Sequence, residues 1–480
     1  MMQEATENPK RALIAAVQLP GVSDAEFEAS LSELRQLAKT LGFEVVGTFT
    51  QKRSRFDAAA YLGVGKRQEI RRFALNEAEA DAAQSIAAES EEAEDEMRED
   101  SGHEDRCEYE ADDPFFRSPV EPNARRADFV LVDHEISPSQ ARTLEKESGC
   151  EVMDRTMVIL EIFHRHARSR AARAQVEIAR LQYMAPRLRE QAKLVGPQGR
   201  QRSGTGGRGA GEKVMDLDRQ KIRDRIAELK RQIEQMDLER KTQRARRQDS
   251  QARVALVGYT NAGKSTLMRA LTGNEALVAD KLFATLDTTV RALQPETTPR
   301  MLVSDTVGFI KNLPHDLVAS FKSTLDEALE ASLLAHVIDA SDPGFERQLA
   351  VTEHVLDEIG AEAVPRLLIF NKIDRIGIGA DQAEREATLL AQYPGCIVMS
   401  ARREGDIARL RAAMTAFFEK DLVEGELFLP WSAQRLRGEI FSNCVVLEER
   451  AEDGGIFFRV RGEGKVLHRL REQLGTAHGA

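Results

Sequence analysis

The sequence has few cysteines, a single tryptophan and no long apolar run. Its four cysteines lie far apart and form no CxxC pair. This spacing argues against a disulfide framework and a zinc site, and it fits a reducing compartment. Because no run of about 18 apolar residues is present, we expect no membrane span. The N-terminal stretch MMQEATENPKR lacks the apolar core of a secretory signal, so the sequence predicts a soluble cytoplasmic protein.

Charge is unevenly distributed along the chain. The net charge is −11, but residues 77–113 alone hold 17 acidic residues and two basic ones, and the remainder is therefore net positive. Because this segment repels itself and lacks apolar residues, we expect an acidic disordered insertion over about 77–120. Two interpretations of this insertion stay open: it is an acidic segment that competes for a basic surface, or it is a tolerated surface loop. The second is favoured, since long surface insertions cost little stability.

Strand-like and helical segments alternate over residues 1–153, which is typical of a small α/β domain. Within it, Gly63-Val-Gly-Lys66 resembles part of a phosphate loop. Arg67 follows the lysine, however, where Mg²⁺ binding needs Ser or Thr. We therefore expect no nucleotide site in this domain.

Residues 154–249 have a helical pattern that is interrupted once. Apolar residues at intervals of three, four and seven predict the seam of a helical hairpin: Met215, Ile222, Ile226, Leu229, Ile233 and Met236. The intervening tip, residues 196–211, contains seven glycines and the basic residues Arg200, Arg202 and Arg208. This tip is either a flexible linker or a mobile finger for RNA phosphates, and the pattern does not decide between them.

Short apolar runs separated by helical stretches fill residues 250–423. This pattern predicts a doubly wound sheet that binds ligands at the carboxyl ends of its strands. The final segment, residues 424–480, contains two plausible strands and predicts a small C-terminal α/β domain. We expect Trp431, in this segment, to lie in its core.

A phosphate loop follows the first apolar run of the 250–423 segment. Glycines at its two ends let backbone N–H groups point at a β-phosphate, Lys264 can reach the β- and γ-phosphates, and the Ser265 hydroxyl can bind Mg²⁺. The expected nucleotide-binding residues of this loop are Gly258, Tyr259, Thr260, Asn261, Ala262, Gly263, Lys264 and Ser265. Asn261 is also a candidate ligand for K⁺, and a simple loop cap is an equally good interpretation of it.

Two later segments indicate that the base is guanine. Asp374 follows an apolar run and can accept hydrogen bonds from guanine N1–H and its exocyclic amine, which adenine does not offer. A backbone N–H of the 400–401 pair can donate to the guanine carbonyl. The expected guanine-binding residues are Asn371, Lys372, Ile373, Asp374, Ser400, Ala401 and Arg402. The sequence therefore predicts that the nucleotide is GTP.

Two further segments have the composition of nucleotide-sensing switches. The first switch covers residues 283–287 and the second covers residues 305–308. In the second switch, Asp305 can hold Mg²⁺ through a water, and the N–H of Gly308 can sense the γ-phosphate. In the first, Thr285 offers a second hydroxyl to Mg²⁺, although Thr288 and Thr289 compete for this role on chemistry alone. The switch residues expected to contact GTP are Phe283, Ala284, Thr285, Leu286, Asp287, Asp305, Thr306, Val307 and Gly308. Within the whole site we assign catalysis to Lys264, Thr285 and Gly308.

The residue after Gly308 is Phe309, at a position where many GTPases have a glutamine that orients the attacking water. A phenyl ring cannot make that hydrogen bond. We therefore expect slow intrinsic hydrolysis, with the orientation supplied by another residue, an ion or a partner.

The motifs GYTNAGKSTL, FATLDTT, DTVGF and NKID together resemble the HflX family of GTPases. The segment Asp133–Gln140 and the stretch from Asp154 to Leu188 also resemble that family. The resemblance covers nearly the whole chain except the acidic insertion, which shorter members lack. It implies an α/β architecture in which a P-loop GTPase domain follows a small α/β domain and a helical hairpin, and precedes a small C-terminal domain.

The resemblance also implies a function. It predicts a GTP-hydrolysing switch on the large (50S) ribosomal subunit, linked to splitting, rescue or recycling of ribosomes under stress. The hairpin tip would then reach ribosomal RNA near the peptidyl-transferase centre. Ser265 and Thr285 would bind Mg²⁺, with Asp305 acting through a water. No motif demands a dimer, so we expect a monomer.

Two alternative functions are consistent with parts of the pattern. An RNA-remodelling NTPase would place nucleotide turnover in the N-terminal domain, where we find no complete phosphate loop. A signalling GTPase with a protein partner outside the ribosome is disfavoured mildly by the arginines of the hairpin tip.

Overall fold

A computed structural model describes the chain over residues 9–75, 126–195, 210–245, 252–273, 282–283, 288–297, 300–311, 327–377, 379–420 and 422–476. The acidic insertion, the hairpin tip with Arg200, Arg202 and Arg208, and residues 284–287 of the first switch lie outside these ranges. By its contacts the chain divides into two units. The first comprises Met1–Ile162 with Met184–Gly211, and the second comprises Phe163–Tyr183 with Glu212–Ala480.

The first unit is built on a four-stranded parallel sheet of order β2-β1-β3-β4. Its strands are β1 (Arg11–Gln18), β2 (Glu44–Lys52), β3 (Phe129–Val132) and β4 (Glu151–Asp154). Its helices are α1 (Asp24–Thr40), α2 (Val64–Ala74) and α3 (Pro138–Ser148). The α/β architecture predicted for this part of the chain is confirmed.

Local sequence explains where α3 begins and ends. The Ser137 side chain accepts from the backbone N–H of Gln140, and the Gln140 side chain accepts from the backbone N–H of Ser137. This reciprocal pair satisfies two of the free donors at the helix start, and Pro138 needs no donor partner at its own position. Gly149 ends the helix at a φ of 71°, a left-handed conformation that glycine adopts without strain.

Three long helices follow the first sheet along the chain: α4 (Arg155–His166), α5 (Arg170–Val195) and α6 (Ala210–Ala245). Leu229 of α6 is buried against Ala174 and Ile178 of α5, and Ile226 and Ile233 pack at its sides. These three α6 residues belong to the seam expected from the sequence. The guanidinium of Arg225 contacts Glu177 at 2.8 Å, which adds a polar link between the two helices.

The central sheet of the second unit has six strands in the order β10-β9-β8-β5-β7-β6. Every pair is parallel except the antiparallel pair of β6 and β7. The strands are β5 (Ala252–Gly258), β6 (Thr289–Ala292), β7 (Met301–Asp305), β8 (Leu333–Asp339), β9 (Arg366–Asn371) and β10 (Ile397–Val398). The helices are α7 (Lys264–Thr272), α8 (Phe345–Glu358), α9 (Ala380–Gln392) and α10 (Glu404–Glu419). The predicted doubly wound sheet is confirmed.

The chain ends in a three-stranded antiparallel sheet of order β11-β13-β12. Its elements are β11 (Leu422–Pro430), α11 (Arg437–Asn443), β12 (Val445–Glu452), β13 (Gly455–Glu463) and α12 (Gly464–Thr476). The expectation for Trp431 is wrong, because its side chain is 53% exposed. Trp431 opens a short 3₁₀ helix in which Ala433 and Leu436 take the buried positions instead.

Among the helices described, none is long and apolar enough to cross a membrane.

Candidate nucleotide-binding site

The phosphate loop connects β5 to α7 at the carboxyl edge of the six-stranded sheet. Its two glycines adopt φ values of 147° at Gly258 and 98° at Gly263. A Cβ on Gly258 would lie 2.1 Å from the carbonyl oxygen of Val337, and one on Gly263 would lie 2.3 Å from Nδ2 of Asn371. Both positions therefore require glycine, for backbone conformation and for space.

Lys264 is buried inside this loop. Its Nζ donates to the carbonyl oxygens of Gly258 at 3.0 Å and Tyr259 at 2.8 Å. Burial lowers the pKa of the Lys264 ammonium to about 8; the carboxylate of Asp305 opposes this shift, and the nearby charge of Lys372 adds to it. The loop thus holds a desolvated ammonium group, and an anionic phosphate group bound there would stabilise its charge.

A pair of oxygen donors lies beside the lysine. The Ser265 hydroxyl donates to Oδ2 of Asp305 at 2.8 Å, and Asp305 is 3% exposed at the end of β7. A hydroxyl and a carboxylate in contact form the hard-oxygen donor set that Mg²⁺ prefers. The residues present therefore fit a Mg²⁺ ion, with Ser265 as one ligand.

The phosphate loop is joined to the start of the second switch. The backbone N–H of Thr260 donates to the carbonyl oxygen of Phe309 at 2.7 Å. The backbone N–H of Phe309 donates in turn to the carbonyl oxygen of Gly258 at 3.1 Å. A Cβ on Gly308 would lie 2.9 Å from Cα of Thr260 and 3.0 Å from Nζ of Lys264. Gly308 thus lies directly against the phosphate loop and the Lys264 ammonium.

The Phe309 side chain is 2% exposed and packs in the core with Ala255, Val257 and Leu334. It anchors the start of the second switch through apolar contacts.

Asn371 connects the two ends of the site. Its side-chain Nδ2 donates to the carbonyl oxygen of Ala262 at 2.9 Å, and its Oδ1 accepts from the backbone N–H of Ala401 at 2.9 Å. Asn371 is 2% exposed, so both bonds are protected from water. One buried amide therefore links the phosphate loop to the 400–402 segment.

Lys372 reinforces the same connection. Its Nζ donates to the carbonyl oxygen of Asn261 and, at 2.7 Å, to Oδ2 of Asp339. Sequence reasoning did not identify Asp339. Its position at the carboxyl end of β8, on the edge that carries the other site residues, is the signal that could have found it.

The residues expected to bind guanine also lie close together. Asp374 lies in a short 3₁₀ helix directly after β9, with Oδ2 at 4.0 Å from Nη1 of the exposed Arg402. The N–H of Ser400 donates to Oδ2 of Asp406 at 2.9 Å. With the Ala401 N–H on Asn371, this shapes the backbone of the expected base-binding segment. Asp406 is a second residue that the sequence pattern did not indicate.

Most of the expected nucleotide-binding residues therefore meet at one edge of one sheet. Of the first switch, Phe283 is described and buried, whereas Ala284, Thr285, Leu286 and Asp287 lie outside the described residues. A glycine-bounded phosphate loop, a carboxylate beside its serine and an Asn-Lys-Ile-Asp segment that begins at the end of β9 define a P-loop GTPase.

Comparison with known proteins shows which family of GTPases the chain resembles. Three family models match it: "GTP-binding GTPase N-terminal" at residues 28–88 and 120–164, "GTP-binding GTPase Middle Region" at 166–247, and "50S ribosome-binding GTPase" at 253–372. GTPase HflX of Gluconacetobacter diazotrophicus is 52% identical over 97% of this chain and 98% of its own length. GTPase HflX of Caldanaerobacter subterraneus is 35% identical over 98% and 95%.

The chain belongs to the HflX family of GTPases, and it hydrolyses GTP to GDP and phosphate. Among solved structures, a GTP-binding protein from Sulfolobus solfataricus in complex with GDP is 21% identical, with a TM-score of 0.42. That similarity covers 85% of this chain and 99% of the solved one.

Proposed function

We propose that this GTPase is a Mg²⁺-dependent switch that binds the large (50S) ribosomal subunit in the cytoplasm. In this proposal it acts as a monomer in ribosome splitting, rescue or recycling under stress: GTP favours the bound state and hydrolysis releases it. The match of residues 253–372 to a family described as "50S ribosome-binding GTPase" carries the proposal.

The charge of the helical region supports an RNA partner. Residues 154–249 contain 24 Lys and Arg against 13 Asp and Glu, although the whole chain has a net charge of −11. Basic side chains on an elongated element are suited to the phosphate groups of RNA. We propose that Arg200, Arg202 and Arg208 at the hairpin tip contact ribosomal RNA.

We also propose a functional division of the chain that follows the sequence pattern. An N-terminal α/β domain covers residues 1–153, a helical hairpin 154–249, the GTPase domain 250–423 and a C-terminal domain 424–480. In this division the GTPase domain supplies the timing and the hairpin supplies the contact with RNA.

The chain's own residues account for GTP binding and for part of the chemistry. Lys264 would leave its loop carbonyls for the β- and γ-phosphates, and Gly308 would offer its backbone N–H to the γ-phosphate. Ser265 and Thr285 would hold Mg²⁺, with Asp305 acting through a water, and the ion would neutralise charge on the phosphates. Asp374 would select guanine.

Because Phe309 is packed into the core, water orientation must come from elsewhere. We propose that the bound large subunit supplies it and that K⁺ near Asn261 adds positive charge at the phosphates. Asn261 is exposed at the loop tip with a φ of 59°, so its side chain is accessible to an ion.

GTP hydrolysis measured with and without large subunits, in K⁺ and in Na⁺, tests this proposal. We expect slow turnover alone, strong stimulation by large subunits, and loss of both in Asp374→Ala. Asp453→Asn, an exposed aspartate in the β12–β13 turn, serves as the matched control. Fast turnover that is indifferent to ribosomes would contradict the ribosomal role while leaving the GTPase assignment intact.

A second experiment isolates the RNA contact. Replacing Arg200, Arg202 and Arg208 together with Gln should weaken large-subunit binding and reduce its salt dependence, because each lost phosphate contact lowers the salt slope by about 1. Intrinsic GTP hydrolysis should stay unchanged. Unaltered binding at every salt concentration would remove the hairpin tip from the proposal.

A further inference from the structure

A phenylalanine from the helical region packs on the first switch. The rings of Phe163 in α4 and Phe283 lie 4.6 Å apart, centroid to centroid, at an interplanar angle of 82°. Phe163 is 0% and Phe283 3% exposed, and the adjacent Leu282 is 4% exposed. Such a buried edge-to-face pair contributes beyond the apolar area that it removes from water.

The conformation of Phe283 requires outside support. Its φ is 56°, in the left-handed region that bulky side chains rarely adopt. A residue remains in such a conformation only when its surroundings over-determine it. The buried ring of Phe163 is one such constraint, and it comes from a helix that precedes the GTPase domain in the chain.

Phe283 is two residues away from Thr285. Two residues of extended chain span at most about 7 Å, so fixing Phe283 restricts where the Thr285 hydroxyl can reach. A switch hydroxyl contributes to hydrolysis only when it is held in place, and misplacement by about 1 Å can cost a hundredfold in rate.

We propose that Phe163 is a positioning residue for GTP hydrolysis. Its ring holds Phe283, and thereby the start of the first switch, in the arrangement that the GTP-bound state needs. The helical region then contributes to setting the first switch, and the GTPase domain does not act alone. This inference rests on the role proposed above for Thr285.

The same contact couples the helical region to the first switch. By its contacts, Phe163 belongs to the same unit as the residues of α5 up to Tyr183 and those of α6 from Glu212 onward. Displacement of α4 would remove a constraint on Phe283, and ordering of the first switch by GTP would favour the packed position of Phe163. Reciprocity of this kind follows from linkage between two sites.

Phe163→Leu tests the proposal in the full-length protein. We expect kcat for GTP hydrolysis to fall about two- to tenfold, which corresponds to the loss of one aromatic pair. Affinity for a non-hydrolysable GTP analogue should weaken by a similar factor. Affinity for GDP should stay within about twofold, because a γ-phosphate is what orders the first switch.

Further variants make the result decisive. Phe458→Leu is the matched control: Phe458 is also 0% exposed and also packs edge-to-face, on Phe441 in the C-terminal domain. Phe163→Met, which replaces the ring with a flexible apolar side chain, serves as the alternative should Phe163→Leu fold poorly. The pair Phe163→Leu and Phe283→Leu should be non-additive, because either change removes the same contact.

The outcomes separate this inference from the proposed function. If Thr285→Ala leaves hydrolysis unchanged, the role of Thr285 fails, and this inference fails with it. If Thr285→Ala abolishes hydrolysis but Phe163→Leu retains the parental kcat and ratio of GTP-analogue to GDP affinity, only the positioning role of Phe163 fails. Equal weakening of both nucleotides by Phe163→Leu would show ordinary core packing and would also overturn it.

Discussion

The side-chain amide of Asn371 donates to the carbonyl oxygen of Ala262 across 2.9 Å, although the two residues are 109 positions apart in the chain. Through its other end the same amide accepts from the N–H of Ala401. The phosphate loop and the base-binding segment are therefore held by one buried side chain. If these segments bind the base and the phosphates as proposed, Asn371 couples base recognition to phosphate binding.

Asn371→Ala should weaken GDP and GTP binding together. Each lost hydrogen bond contributes about 0.5–1.5 kcal/mol, and the stranded buried partners add to this, so we expect a loss of about 10- to 100-fold for both nucleotides. Titration with fluorescent nucleotides measures it. Asn443→Ala, which removes a half-buried amide on α11, should bind like the parent. A loss confined to GTP would contradict the link.

Lys264→Met should move stability and binding in opposite directions. Because burial lowers the pKa of the Lys264 ammonium to about 8, the charged form is destabilising while no phosphate is bound. We expect the nucleotide-free variant to melt at a higher temperature than the parent at pH 7. The increase in melting temperature that GDP produces in the parent should be lost.

The pH dependence checks the cause of this effect. Between about pH 8 and 10.5 the unfolded chain retains a proton that folded Lys264 has released, so the parent gains stability as pH rises through this window. Lys264→Met should lack that gain, whereas Lys420→Met, at an exposed lysine, should keep it. Identical slopes for the parent and Lys264→Met would show that Lys264 is not the group responsible.

The phosphate loop and the guanine motif could be read from the sequence because their chemistry requires particular residues at short, fixed spacings. Gly263 illustrates this: a Cβ there would lie 2.3 Å from another site residue. Glycine is therefore required at this position, and it can be recognised in the sequence. The strand and helix pattern around the loop is equally local. The class of fold and the nucleotide were therefore predictable.

Contacts between distant segments were not predictable in the same way. Asp339 is one aspartate among many until the fold places its carboxylate against Lys372, and Phe163 gives no sign in its own helix that it meets Phe283. Trp431 was misjudged because apolar character does not decide which residue of a short turn takes the buried position. Such features depend on tertiary packing, which a single local pattern does not encode.

His336→Leu should stabilise the protein. His336 is 0% exposed in β8 between Val257 and Leu368 on the flanking strands, and neither ring nitrogen has a hydrogen-bond partner among the residues described. Removing an unsatisfied buried donor should raise the free energy of unfolding by about 1–3 kcal/mol at pH 7. Denaturant titration measures it.

The stabilisation by His336→Leu should grow in acid. Burial first, and the charges of Arg366 and Lys264 next, lower the pKa of His336 to about 3. Below about pH 6.5 the unfolded chain takes up a proton that the folded chain refuses, so the parent loses stability as pH falls toward 3. His336→Leu should not show this loss. The exposed His354→Gln should behave like the parent, and an unchanged acid slope in His336→Leu would contradict the prediction.

Gly308→Ala should separate hydrolysis from nucleotide binding. Its new Cβ would lie 2.9 Å from the Thr260 backbone and 3.0 Å from the Lys264 ammonium, so the second switch must withdraw from the phosphate loop. We expect GTP hydrolysis to fall about 10- to 100-fold, while GDP affinity changes by less than about threefold, because GDP lacks the γ-phosphate that the switch senses.

Gly405→Ala is the control, since a Cβ there meets nothing within 4 Å and alanine favours the helix. Single-turnover hydrolysis and GDP titration on both variants decide the matter: parental hydrolysis in Gly308→Ala would mean that the switch acts without close contact at this glycine.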